Sequence, residues 1–192
     1  KLPINYSIVT NIDYEHIDFY KNFKNLENAF IKFINKTPAI GKSVLCLDDK
    51  NIKKILTSVK TKNYLTYGFD KYSNYQIKNV RYNLTGAKFS LVFKNLNAKK
   101  IEIKDIFLNL IGKHNVLNAT AAIVICLNLG VSVKIIKKAL KNFSGVQRRM
   151  TKVFTKNKNE FFDDYAHHPT EIYSILDGIN KVYQKRKIIA VF

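Results

Sequence analysis

Cysteine is scarce: Cys46 and Cys126 are the only two in 192 residues. Their number and spacing exclude a disulfide framework and a thiolate metal set. They predict buried, reduced thiols and a cytoplasmic protein. Long apolar runs are missing too. Stretches such as Ala119–Leu127 fall well short of the roughly 20 residues that a membrane-spanning helix needs. No repeat, low-complexity tract or long linker interrupts the chain, which has three Pro and seven Gly.

Carboxylates are few, with 14 Asp and Glu against 33 Lys and Arg, a formal net charge of +19. Such a balance can mark a nucleic-acid or anionic-membrane partner. Arginine, however, contributes only four of the 33, leaving 29 Lys. Lys, Asn and Ile share A/T-rich codons, and the lysines are scattered instead of massed on one stripe. Genome composition explains the charge, and neither nucleic acid nor membrane is expected as a partner. A basic nucleic-acid-binding module stays the rival reading, and its mark would be steep salt dependence. The apolar fraction of 46%, with 13 Phe and 11 Tyr, provides for a sizeable core in one domain or one domain plus part of another.

Short β-branched runs at Tyr6–Thr10 and Ser43–Leu47 read as buried strands. Between them Phe19, Phe23, Leu26, Phe30 and Phe33 recur at three or four residues, predicting one amphipathic helix over Phe19–Asn35. Asp48 or Asp49 can cap a helix running to Val59. Strand, helix, strand in this rhythm predicts a parallel sheet. Tyr64–Phe69, Tyr75–Asn83, Lys88–Phe93 and Lys100–Ile106 are β-rich and predict an antiparallel patch over 64–106. Helices follow at His114–Asn128 and Val133–Asn142, with Gly130 at the C′ position between them. Met150–Thr155 and Glu160–Phe162 suggest a hairpin. Pro169 opens a helix to about Gln184, and Lys187–Phe192 reads as a buried strand. The expected fold class is α/β: a mostly parallel-sheet unit over 1–147 with an antiparallel patch, then the start of a second α/β unit over 148–192. Residue 1 is Lys, and the last strand has no successor, so an internal piece of a longer protein is expected.

Four segments carry chemistry. Asn11-Ile-Asp-Tyr-Glu-His16 gathers acids and an imidazole at a strand's carboxyl end, where open α/β sheets bind ligands. His16 there can hold a metal or simply be solvated. Gly112-Lys-His-Asn-Val-Leu-Asn118 opens a helix with polar side chains that can cap it or meet the edge of a planar base. Arg148-Arg149 stands out where Lys is the rule, and its fork suits phosphate or carboxylate; a boundary salt bridge is the plainer use. Asp163-Asp-Tyr-Ala-His-His-Pro-Thr-Glu171 puts half of the four histidines at a strand-to-helix turn. Asp164 can accept from ribose hydroxyls, and His167 and His168 can orient a substrate or titrate near neutrality.

Together and in order, Val9–Asp18, Gly112–Ala119, Phe143-Ser-Gly-Val-Gln-Arg-Arg149 and Asp163–Glu171 resemble the Mur ligases of peptidoglycan synthesis over essentially the whole chain. They are most similar to the member that joins L-alanine to UDP-N-acetylmuramate. The His-His-Pro segment is shared with the murein-tripeptide recycling ligase, the alternative within the family. The resemblance implies an ATP-binding central domain followed by the start of a Rossmann-like C-terminal domain. It implies ATP and Mg2+ as cofactors, an acyl-phosphate intermediate, and UDP-N-acetylmuramate and L-alanine as substrates. It implies His16 as metal ligand, His114, Asn115 and Asn118 around adenine, Arg149 on the nucleotide phosphates and Asp164 on ribose. Tyr165, His167 and His168 then handle the amino acid. Ala166 replaces the commoner Gly, and Glu15 the commoner Asp. The family's glycine-rich phosphate loop has no counterpart in residues 1–192. It is expected upstream with the UDP-binding domain, and an arginine segment is expected downstream. Residues 1–192 alone are therefore expected to be inactive.

Overall fold

The structure, a computed structural model, describes residues 4–184 and 186–191. Six strands form one sheet in the order β1-β2-β3-β4-β5-β6. They are β1 (Tyr6–Val9), β2 (Lys42–Cys46), β3 (Tyr64–Gly68), β4 (Tyr75–Asn83), β5 (Gly86–Lys94) and β6 (Lys100–Leu108). β1 to β4 run parallel, while β4–β5 and β5–β6 are antiparallel. The mostly parallel sheet with an antiparallel patch is therefore present. The patch begins at β4, not at residue 64. β3 pairs parallel with β2 because α3 (Lys50–Ile55) and a short 3-10 turn carry the chain back between them. Such a crossover is what parallel neighbours require.

The expected helix over Phe19–Asn35 is two. α1 (Ile17–Tyr20) stops where Lys21 takes φ 69°, and Asn22 then caps α2 (Phe23–Asn35) by accepting from Asn25 N at 2.9 Å. The apolar spacing is blind to this break because a one-residue kink leaves the buried stripe nearly in phase. Asp49 caps α3, accepting from Ile52 N at 2.7 Å, and burial holds its carboxyl above the usual value.

Two helices follow the sheet, α4 (Lys113–Asn128) and α5 (Val133–Asn142). Gly130 takes φ 79° after α4, as a C′ glycine does. Val116, Ala119, Thr120, Ala121, Ile123 and Val124 of α4 are buried. These small and β-branched side chains let the helix lie close against β2 and β3. Leu45, Tyr67, Phe89 and Leu91 from the strands complete the core. Cys46 is buried, but Cys126 is only half-buried, and both are free thiols.

The chain then forms a hairpin, β7 (Thr151–Lys156) with β8 (Asn159–Asp163), and α6 (Pro169–Val182), with Pro169 in the first turn. α6 reaches back to the start of α4. A Cβ on Gly178 would sit 3.2 Å from Gly112 Cα, so glycine at both positions permits the approach. The final strand is not formed over 187–191. Among the described residues no neighbouring strand there offers it hydrogen bonds, and Ile189 and Val191 are exposed. Phe192 lies outside the described residues.

Candidate nucleotide-binding site

The site is built where α4 begins, between the connection after β6 and the turn after β8. Gly112 precedes α4 with φ 107°, a region nearly closed to other residues. This brings the His114 ring back over the glycine, where a Cβ would lie 2.8 Å from ring carbon Cε1. The helix start therefore has no side-chain cap, contrary to the capping role open to His114 and Asn115. Asn115 turns its Nδ2 to the Ile111 carbonyl at 2.7 Å. His114 Nδ1 is buried with no hydrogen-bond partner. Burial pushes this imidazole below its ordinary pKa, the Asp164 carboxylate pulls it up, and Arg149 adds to the depression. Those influences bring His114, Asp164 and Arg149 into one neighbourhood, although 50 residues separate the first two in sequence.

Asp164 is a local organiser. One carboxylate oxygen accepts from Met150 N and the other from Ala166 N, both at 2.8 Å. It thereby fastens the Arg-Arg segment to the turn after β8. Arg148 and Met150, on either side of Arg149, both take positive φ (57° and 51°). Backbone strain of this kind gathers where a side chain must be aimed. Arg149 and Asn115 line a cavity of about 530 Å³ with Leu110, Gly145, Gln147 and Phe162. Asn118 is exposed one turn beyond His114 on α4. Four of the five expected nucleotide residues thus share one region, and Asn118 borders it.

His167 and His168 use Nδ1 in opposite ways. His167 Nδ1 lies 3.1 Å from the Tyr165 carbonyl oxygen. A carbonyl only accepts, so this nitrogen carries the proton and leaves Nε2 as a base. His168 is the N-cap of α6, its Nδ1 accepting from Thr170 N at 3.4 Å. Its Nε2 is therefore the donor. Tyr165 packs edge-on against His167 and lies under the Arg148 guanidinium, 5.0 Å from the ring centroid.

His16 lies just before α1 (Ile17–Tyr20). It is exposed, takes φ 54°, and starts α1 by offering its carbonyl to Phe19 N and Tyr20 N. Its neighbour Glu15 comes within 3.7 Å of His168 Nδ1. Among the described residues no three His, Cys, Asp or Glu side chains group to hold an ion. Magnesium prefers about six oxygen ligands in near-octahedral array. One exposed imidazole does not meet that demand. Asn115 and Arg149 line one cavity, and the buried Nδ1 of His114 and the Asp164 carboxylate lie in the same region.

Glu171 had no role in the sequence reading. Its carboxylate reaches Arg149 Nη1 at 3.2 Å and accepts from His167 N at 3.4 Å. Burial raises its pKa, but the Arg149 hydrogen bond and backbone N–H groups outweigh this and hold it below the usual range. The Pro169-Thr-Glu171 pattern, with Glu at the third helical position, was the available signal.

Comparison with known proteins shows the family. The Mur ligase middle domain matches residues 1–126, and the Mur ligase, glutamate ligase domain matches 148–192. The chain belongs to the Mur ligase family. It is 49% identical over 191 residues to a UDP-N-acetylmuramate–L-alanine ligase of Pelagibacter ubique, covering 100% of this chain and 41% of that protein. The Mur ligase chain thus spans about two fifths of the length of the curated relatives it matches. Among solved structures it is similar to the UDP-N-acetylmuramate-alanine ligase of Thermotoga maritima (TM-score 0.73, 27% identity, 95% of this chain and 40% of that one). It is also similar to a murein peptide ligase of Psychrobacter arcticus (TM-score 0.64, 28% identity, 92% and 35%). No helix among the described residues is long and apolar enough to cross a membrane.

Proposed function

We propose that residues 1–192 supply the nucleotide cleft and the amino-acid-facing turn of an ATP-dependent ligase that joins L-alanine to UDP-N-acetylmuramate. In this reading a middle domain of residues 1–147 meets the start of a C-terminal domain, 148–192, at the cleft. The grouping of His114, Arg149 and Asp164 carries the reading, and the name of the Pelagibacter relative supports the choice of substrates.

Amide formation from a carboxylate needs an activated oxygen. ATP supplies it: a lactyl carboxylate oxygen takes the γ-phosphoryl group and ADP departs. The amine of L-alanine then attacks the acyl carbon, and inorganic phosphate leaves. Asn115 and Asn118 would meet the base, beside the neutral imidazole of His114. Asp164 would accept from ribose hydroxyls, and the Arg149 guanidinium would neutralise phosphate charge as a fork. At the other end, His167 Nε2 is free to take the proton that the amine sheds as it attacks. His168 Nε2–H can donate to the carboxylate of the amino acid, and Tyr165 fixes the His167 ring.

The test is phosphate release by the full-length protein with ATP and UDP-N-acetylmuramate. Release that depends on L-alanine is the expected result. Release only with the murein tripeptide would move the protein to the recycling ligases, and salt-sensitive duplex binding without turnover would favour the nucleic-acid reading.

A further inference from the structure

Glu171 faces two ways. One oxygen pairs with Nη1 of Arg149 at 3.2 Å. The other accepts from the backbone N of His167 at 3.4 Å and lies 3.8 Å from its Nδ1. As the third residue of α6 it helps to close the helix start, accepting from the N–H of the residue before the N-cap His168. A cap alone would use one oxygen and leave the other to water. Here the second is spent 22 residues away on the arginine of the nucleotide cleft. The Arg149 side chain is 50% exposed and would otherwise sample many rotamers. Only Nη1 is engaged, so the rest of the fork stays free for an anion.

We propose that Glu171 is a positioning residue that holds the Arg149 guanidinium at a fixed offset from the His167–His168 turn. The phosphate end of the nucleotide and the incoming amine are thereby presented in one register. The inference rests on the ligase reading above and deepens it.

Glutamine separates this role from capping. Its carbonyl oxygen still accepts from His167 N, so Glu171→Gln keeps this contact at the helix start but loses the charge that holds Arg149. In the full-length enzyme E171Q should raise the KM for ATP about threefold to fivefold, the range of a partly exposed ion pair. The KM for L-alanine and kcat should move less, and Tm should not change. Glu171→Ala should show the same KM change and a lowered Tm. Because E171Q acts through Arg149, adding it to Arg149→Lys should raise the KM for ATP no further. Three results would overturn the proposal: E171Q kinetics equal to wild type with only E171A losing Tm, tighter ATP binding in E171Q, or additive effects with R149K. Wild-type protein that neither binds ATP in a calorimetric titration nor releases phosphate would instead sink the ligase reading itself.

Discussion

Gly112→Ala tests the cleft by displacing the His114 ring without replacing any residue proposed to contact the nucleotide. Two costs add. The backbone at φ 107°, ψ 145° is nearly glycine-only and costs an alanine about 1–3 kcal/mol. The new Cβ would stand 2.8 Å from His114 Cε1 and 3.0 Å from Nδ1, closer than real contacts allow. The ring must tilt, at about 0.5–1.5 kcal/mol for an off-rotamer imidazole. The sum is about 1.5–4.5 kcal/mol, which in a protein of this size or larger lowers Tm by several degrees. Thermal unfolding of the full-length protein reads the loss, and calorimetric ATP titration reads the displaced imidazole as weaker binding. Adding His114→Ala to G112A should recover the ring's share of the stability loss, about 1 kcal/mol, and leave the backbone share. A G112A protein as stable as wild type, or no recovery in the double variant, would refute the reasoning.

Two further outcomes follow. Arg149→Lys should weaken ATP binding severalfold with little change in Tm, since Lys keeps the charge but not the fork; equal affinity by calorimetric titration would contradict the assignment. His114 is held below its unfolded pKa of about 6.5, so the unfolded chain binds its proton first. Stability should therefore fall as pH drops from 6.5 towards the folded-state pKa, and His114→Gln should flatten that segment of the pH–stability profile.

Much of this was legible because the chemistry sits at element ends. Pro169 at the first turn of α6, Gly130 past α4 and Asp49 before α3 are local devices, and local sequence encodes them. The direction of β3 was not legible, because alternation along Tyr64–Gly68 records which faces are buried and not which way the neighbour runs. The break at Lys21–Asn22 hid inside an unbroken apolar stripe. The terminal strand was read from composition alone, whereas a strand forms only with a partner. In the site, His114 and Arg149 stood out as rare polar types, and Asn115 and Asp164 by their place in the same motifs. The tie from Arg149 to Glu171 and the contact from Glu15 to His168 did not, since each joins residues distant in sequence.

The central claim is that the start of α4, Arg149 and Asp164 form one nucleotide cleft. Its most direct test is an ATP titration of the full-length protein, followed by NMR of the labelled histidine rings and the asparagine and arginine side chains. The account predicts saturable shifts at His114, Asn115, Asn118 and Arg149, little change at His16, and loss of the response in Asp164→Ala. Weak, non-saturating shifts without that pattern, or a response centred away from these residues, would contradict it.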